Sequence, residues 1–240
     1  MVKPTLDDML KAGVHFGHKT AKRHPKMEPY IFAARDGVHI IDLQKTEEKL
    51  NAALSFVEEL SKQGKMIMFV GTKKQVKKLV REAAEQARVP YVCERLLGGT
   101  FTNYQTISKR VSKLKQLEEE QAKDGFAKYT KKEKLLKERE IKKLKNLMEG
   151  IKNMGRIPEA IFIVDIKNEK NALAEAKKKG VKVIAITDTN VNPELVDYPI
   201  PANDDAIGSV QLILKALADT ISDHAPSAKQ PSVKETTENK

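Results

Sequence analysis

Four groups of residues in this chain have the type and spacing to do chemistry. The first is Phe69-Val70-Gly71-Thr72-Lys73-Lys74-Gln75, an apolar stretch that runs through a glycine into paired lysines. Such a strand-to-helix turn can cradle an anion, because the N–H groups at a helix start lack partners of their own. A Walker loop needs Gly-x-x-x-x-Gly-Lys-Ser/Thr and a dinucleotide fingerprint needs three spaced glycines; neither is present. A phosphate at Lys73 and Lys74 would as readily belong to a polymer backbone as to a nucleotide, and no bound nucleotide or other cofactor is expected. The second group is Asp165 and Asp188, each closing a predicted strand, where doubly wound enzymes place catalytic carboxylates. No paired base, metal-ligand set or nucleophile accompanies them. Asp188-Thr189-Asn190 and Asn203-Asp204-Asp205 therefore read as turn and helix-cap chemistry. The third group, His15, His18 and His24, invites a zinc reading, yet no thiolate or nearby carboxylate within that stretch completes a tetrahedral set. Set among Lys19, Lys22, Arg23 and Lys26, these histidines suit structural roles or donation to phosphates and base edges, and no metal is expected. The fourth is the single cysteine, Cys93, which has no evident activating neighbour and reads as a small strand residue.

Charge narrows the partner. The 240 residues carry 44 Lys and Arg against 33 Asp and Glu, a formal net charge of +11. A surface of that sign attracts a polyanion by releasing its counterions, and nucleic acid is the first candidate. No apolar run approaches the roughly twenty residues of a spanning helix, and no basic face opposes an apolar one, so no membrane partner is expected. Met1 to Lys11 holds Pro4 and two aspartates where a signal peptide would place a basic region and an apolar core. That start and the lone cysteine together predict a cytoplasmic protein. Between Tyr104 and Asn153 there are fifteen Lys and Arg against eight Asp and Glu, and Lys109, Arg110, Lys113 and Lys115 place several cations on one face of a helix. Aromatic residues make up only 5% of the chain and Trp is absent, so stacking on single-stranded bases is not the main mode. Folded RNA, recognised by shape and phosphates, is the predicted target. The predicted contacts are His18, Lys19, Arg23 and Lys26, then Lys73 and Lys74, then Asn103, Lys109, Arg110 and Lys113.

The elements that must position these residues follow from periodicity. Thr5 and Asp8 form a helix-start signal for Leu6 to Lys11, and the basic stretch from His15 to Pro29 reads as an ordered loop. Tyr30 to Arg35 and Val38 to Leu43 flank Asp36-Gly37, the residue pair of a tight hairpin turn. Apolar residues at helical spacing predict helices from Thr46 to Gly64 and across Val76 to Ala87. Met66 to Val70 and Tyr91 to Cys93 read as short strands. Ala160 to Ile166, Asn168 to Lys179 and Val181 to Thr187 predict a further strand, helix and strand, and Asp204 to Ser222 a last helix. Strands alternating with helices call for a doubly wound parallel sheet, an α/β fold. Two narrow apolar seams on either side of Asp124-Gly125 predict an antiparallel helical hairpin inserted into it. The predicted domains are 1–102 with 154–223 as the α/β body, 103–153 as the hairpin, and 224–240 as a disordered polar tail.

Several strings are more specific than periodicity. They are Met9-Leu10-Lys11-Ala12-Gly13-Val14-His15-Phe16-Gly17-His18 with Pro25-Lys26-Met27, then Phe69 to Lys73, Leu97-Gly98-Gly99-Thr100-Phe101-Thr102-Asn103, and Ile200-Pro201-Ala202-Asn203-Asp204-Asp205-Ala206-Ile207. In this order they resemble the bacterial family of the second protein of the small ribosomal subunit, over about Leu6 to Thr220. Leu96 departs from the Trp that many bacterial members carry there. The resemblance implies a flavodoxin-like, Rossmann-like sheet with a coiled-coil hairpin, and a ribosomal, RNA-binding role in translation without catalysis or a small-molecule substrate. It further implies a seat on small-subunit ribosomal RNA between head and body, beside neighbouring ribosomal proteins. Among these is the mRNA-capturing first protein, whose recruitment it supports. A nucleotide-using enzyme working through Asp165 and Asp188, and a protein-protein adaptor docking through its helices, are the two alternatives.

Overall fold

A computed structural model of the protein describes residues 4–224. Helix α1 (Leu6–Lys11) starts as its sequence predicts: the Thr5 hydroxyl accepts the Asp8 N–H while the Asp8 carboxylate accepts the Thr5 N–H. The basic stretch expected as a loop contains strand β1 (Phe16–Lys19) and two 3-10 turns, Thr20–Lys22 and Pro25–Tyr30. The reason lies elsewhere in the chain. Strands β2 (Ile31–Arg35) and β3 (Val38–Ile41) form the predicted hairpin, with Asp36 and Gly37 at φ 51° and 77°, and β3 also pairs with β1. A distant partner thus supplies hydrogen bonds that local sequence does not announce. The result is a small antiparallel sheet, β1-β3-β2.

The larger sheet is parallel. Helix α2 (Leu43–Lys62) begins three residues before its predicted start, because the Asp42 carboxylate caps the Gln44 N–H. Thr46, free of capping duty, gives its hydroxyl to the Pro201 carbonyl at 2.6 Å. Strand β4 (Ile67–Val70), helix α3 (Lys77–Ala87), strand β5 (Tyr91–Val92), strand β6 (Ala160–Ile163), helix α6 (Lys170–Lys179) and strand β7 (Lys182–Thr187) follow the predicted alternation, with helices α4 (Tyr104–Asp124) and α5 (Lys131–Met148) between β5 and β6. Strand β8 (Tyr198–Pro201) has no predicted counterpart: its two prolines argue against a strand. It lies at the sheet edge and pairs only with β7, where a missing N–H is tolerated. Helix α7 (Ile207–His224) ends the described chain and takes in His224, the first residue of the predicted tail 224–240; the rest of that tail falls outside the described residues.

The five strands run in the order β5-β4-β6-β7-β8. Side chains alternate between faces, and both faces are buried, as in a parallel sheet covered on each side. Ile67 and Phe69 of β4, with Phe162 of β6, point into a core with α2, α3 and α7. Met68, Val70, Ile161 and Ile163 point into the opposite core with α6 and the bases of two long helices. Leu96 is buried in that second core.

Those helices are α4 (Tyr104–Asp124) and α5 (Lys131–Met148). Ile107, Leu114 and Leu117 of α4 and Ile141 and Met148 of α5 are buried between them and the sheet. The reversal falls where the sequence predicts, at Gly125 (φ 54°), followed by Phe126 at φ 61°. Burial of Phe126, its edge contact with Tyr129, and Lys137 lying 3.6 Å over the Tyr129 ring offset that backbone strain. At the other end, Arg81 ties the Tyr91 ring to Glu149, and Gly150 sits against Tyr91. A Cβ on Gly150 would overlap the Tyr91 carbonyl oxygen and lie 2.6 Å from its ring carbon Cδ2. Gly150→Ala is therefore expected to cost about 1–3 kcal/mol in denaturant unfolding. An unchanged midpoint would mean that β5 and the helix pair are not locked there.

Candidate functional site

In open α/β sheets the ligand crevice lies outside the carboxyl ends of the strands, where strand order reverses. Here that place lies between the ends of β4 and β6. It is filled by the protein's own ions. Lys73 Nζ stands 3.0 Å from Asp165 Oδ2, 2.9 Å from Asp204 Oδ1 and 2.8 Å from Asp205 Oδ1, with 13% of the side chain exposed. The Thr72 hydroxyl beside it donates to buried Glu169. His18 approaches from β1, its Nδ1 3.0 Å from Asp188 Oδ2 and its Nε2 3.5 Å from Asp205 Oδ2. Gly17 makes that approach possible, since a Cβ there would meet Thr189 Cγ2 at 2.6 Å. The Thr189 hydroxyl accepts the His18 N–H at 2.9 Å and its carbonyl accepts the His24 N–H at 2.8 Å, fastening the small sheet to the large one.

Four carboxylates face one lysine and one histidine, and the imbalance sets the protonation. Burial, then the charges of Asp165 and Asp188, push Asp204 up to about 7 against the pull of Lys73. Burial opposes the Lys73 charge, but its contacts to Asp204 and Asp205 and the charge of Asp165 outweigh it and raise the pKa. The hydrogen bond to Asp188 raises His18, burial opposing it. Asp165 and Asp188 also cap, as their sequence context predicts. Asp165 Oδ1 accepts the N–H groups of Lys167 and Asn168, and Asp188 Oδ1 accepts that of Thr189. Asn203 does the same for Asp205 and Ala206. Asp204 does not cap; its carboxylate turns inward to Lys73.

Lys73, expected as a phosphate contact, is thus committed to the interior, because three carboxylates hold its ammonium. Lys74 next to it is exposed with no ion pair among the described residues. The three histidines do not converge: His15 lies on Phe16 at a centroid distance of 4.0 Å, and His24 Nδ1 accepts the Lys26 N–H. Only His18 joins acidic groups, and with Asp188 and Asp204 it offers three ligand atoms within 4.8 Å of one another, a set that can hold a cation. Those carboxylates come from distant strand ends, so a search within the histidine stretch could not find them. Lys19 is exposed, while Arg23 and Lys26 pair at the surface with Glu28 and Glu194. Asn103 precedes α4 and accepts the Thr106 hydroxyl; Lys109 and Arg110 are exposed; Lys113 pairs with Glu140.

One structural group escaped sequence reasoning altogether. Glu175 of α6 accepts the N–H groups of Gly99, Phe101 and Thr102, so the Leu97 to Asn103 loop wraps a carboxylate. No local pattern marks it, since the loop lies more than seventy residues away. Cys93 is half-buried, and burial pushes its thiol up to about 11, which makes it a poor nucleophile.

Removing Lys73 leaves buried carboxylates without their cation, and Lys73→Met is expected to lose about 3 kcal/mol of unfolding free energy. Wild-type stability there would show that the crevice admits water freely. Asp204 gives a pH signature. Its folded pKa lies above its ordinary 3.8, so between 3.8 and about 7 the folded chain keeps a proton that the unfolded chain releases. Stability from this group is therefore full below 3.8 and falls as pH rises through that window; His18, raised from 6.5, adds a loss of the same sign above it. In chelator, Asp204→Asn is expected to flatten the fall in melting temperature between pH 4 and 7. An equally steep profile in the variant would place the titration elsewhere.

Comparison of the sequence with known proteins identifies its relatives. The family described as "Ribosomal protein S2" matches residues 9–224. The "Small ribosomal subunit protein uS2" of Chlorobium chlorochromatii (strain CaD3) is 51% identical over 216 residues, 90% of this chain and 86% of that protein. Proteins of the same description from Coprothermobacter proteolyticus and Chlorobaculum tepidum are 48% and 50% identical, covering 92% and 90% of this chain and 82% and 87% of their own lengths. With a family match over nearly the whole described chain and relatives at half identity, the chain belongs to the ribosomal protein S2 family.

Proposed function

We propose that this chain is a structural constituent of the small ribosomal subunit that binds folded ribosomal RNA between head and body and helps recruit the mRNA-capturing first protein. Its family is structural and not enzymatic. The observation that carries the proposal is the strand-end crevice: where a doubly wound enzyme would seat a ligand, Lys73 and its carboxylates close the space. Binding therefore belongs to the outer surface. Lys19, Lys74, Lys109 and Arg110 are exposed and have no ion-pair partner among the described residues, which leaves them for phosphates. Arg23, Lys26 and Lys113 sit in surface pairs with Glu28, Glu194 and Glu140, interactions worth roughly 0–1 kcal/mol that a phosphate can replace. His18 and Lys73 act from within, holding the basic stretch and the Gly71 turn in place, and Asn103 marks the base of the helix pair.

In this reading the sheet order is the flavodoxin-like one, and α4 with α5 is an antiparallel coiled-coil arm inserted at 103–153 into a body of 1–102 and 154–223. Among the described residues no helix is long and apolar enough to cross a membrane, and the ribosome would hold the chain in the cytoplasm. Phe32, 77% exposed on β2, and the exposed Phe16 of β1 offer apolar contact to a neighbouring protein.

Sucrose-gradient fractionation of a cell extract is expected to place the chain with small subunits at moderate salt. Its absence from them would overturn the proposal. Phe32→Asp is expected to leave the chain on the subunit and to deplete the mRNA-capturing protein severalfold. An undiminished level would remove the small sheet from that role.

A further inference from the structure

The two long helices differ in a way that fold alone does not require. From Tyr104 to Asp124 α4 carries five Lys or Arg against four Asp or Glu, while α5 carries eight against three. Two of the four acidic residues of α4 are used on the returning chain: Glu120 binds Lys137 of α5, and Glu118 binds Lys152 beyond it. On the side of α5 turned away from α4, nothing compensates. Lys132, Leu135, Leu136, Arg139 and Lys143 stand at i, i+3, i+4, i+7 and i+11, which is one helix face, and all are exposed. Lys142 and Lys131 flank them. Among the described residues no carboxylate lies within ion-pair distance of these five cations.

We infer that the outer face of α5 is the edge of the arm that runs along the phosphates of folded RNA. This rests on the RNA-binding reading above and adds to it a surface on the second helix. Like charges three and four residues apart destabilise a helix, as Arg139 does here with Lys142 and Lys143. The unpaired cations of the face are spread over about 16 Å, from Lys132 to Lys143, a length set by the 1.5 Å rise per residue, and their mutual repulsion has no carboxylate to answer it. A polyanion laid on that face relieves it. An acidic protein helix is the other candidate, but it would need an apolar ridge of comparable length, and the face offers only Leu135 and Leu136, 47% and 54% exposed. The charge outruns the apolar surface, which favours phosphates.

The test measures binding of the full chain to a small-subunit ribosomal RNA transcript over a series of KCl concentrations. Lys132→Gln/Arg139→Gln/Lys143→Gln removes three charges from the face. Lys177→Gln/Lys178→Gln/Lys179→Gln removes three exposed charges from the end of α6 and serves as the control. The first variant is expected to reduce the magnitude of the salt slope by about 2–3 units, and the control to leave it unchanged. The α5 variant should also melt no lower than wild type, since it loses only repulsion. If wild type binds with a steep slope and both triple variants behave alike, the inference fails and the broader reading stands. If wild type itself shows no salt-dependent binding, the broader reading fails with it. Leu135→Ser/Leu136→Ser is expected to bind RNA as wild type does. Loss of incorporation into subunits through these leucines, with the charge variant normal, would assign the face to an acidic protein and overturn the inference.

Discussion

The contact on which the rest depends is the ammonium of Lys73 among the carboxylates of Asp165, Asp204 and Asp205. These groups come from the ends of β4 and β6 and from the segment after β8, and His18 adds β1 while Asp188 adds β7. Five strands from two sheets thus meet at one set of charges. Taking such charges from water costs several kcal/mol per ion, and a cluster with more acids than bases recovers that only when every group is held in register. The arrangement is therefore a weak source of net stability and a strong constraint on geometry. A strand displaced by one residue would strand a buried charge, so the small antiparallel sheet can dock in one way.

That constraint also explains how a ligand-binding architecture comes to serve as a scaffold. The crevice at a point of strand reversal is an open volume in most doubly wound sheets, lined by whatever the loops carry. In this chain the Gly71-Thr72-Lys73 turn delivers a cation into it, and Asp165, Asp204 and Asp205 answer that charge from within the same chain. Chemistry that would face a substrate is spent on internal pairing. In the proposed reading the surface cations act outward, and the fold serves to space them.

Regular elements were legible because they obey local rules. The Thr5 and Asp8 capping pair, the Asp36-Gly37 turn, the strands facing two cores and the reversal at Gly125 each announce themselves within a few residues. What was illegible depends on distant partners. Strand β1 exists because β3 lies beside it, and β8 because the edge of β7 tolerates two prolines. The ion cluster was half legible. Lys73, His18 and the aspartates were each singled out, yet their mutual distances follow from the sheet, not from spacing along the chain, and so a phosphate contact and a set of caps turned out to face one another. Glu175 left no trace at all, since a carboxylate on a helix face looks alike whether it meets water or three N–H groups.

Glu175 bears on how the helix pair is held, which matters if, as proposed, the pair acts as an arm. A projecting pair of helices transmits position only if its base does not swivel, and here the base is held from three directions. The loop before α4 is wrapped on the Glu175 carboxylate, the Tyr104 hydroxyl donates to the Met154 carbonyl, and Gly150 is seated on Tyr91 under Arg81. The first two join the start of α4 to α6 and to the chain leaving α5, and the third joins that exit to β5. Phosphate contacts are individually weak and sum only when their spacing matches the nucleic acid, so a hinge at this base would forfeit most of their joint effect. In the proposed reading, rigid attachment lets cations on the helix pair act with those on the body as one surface.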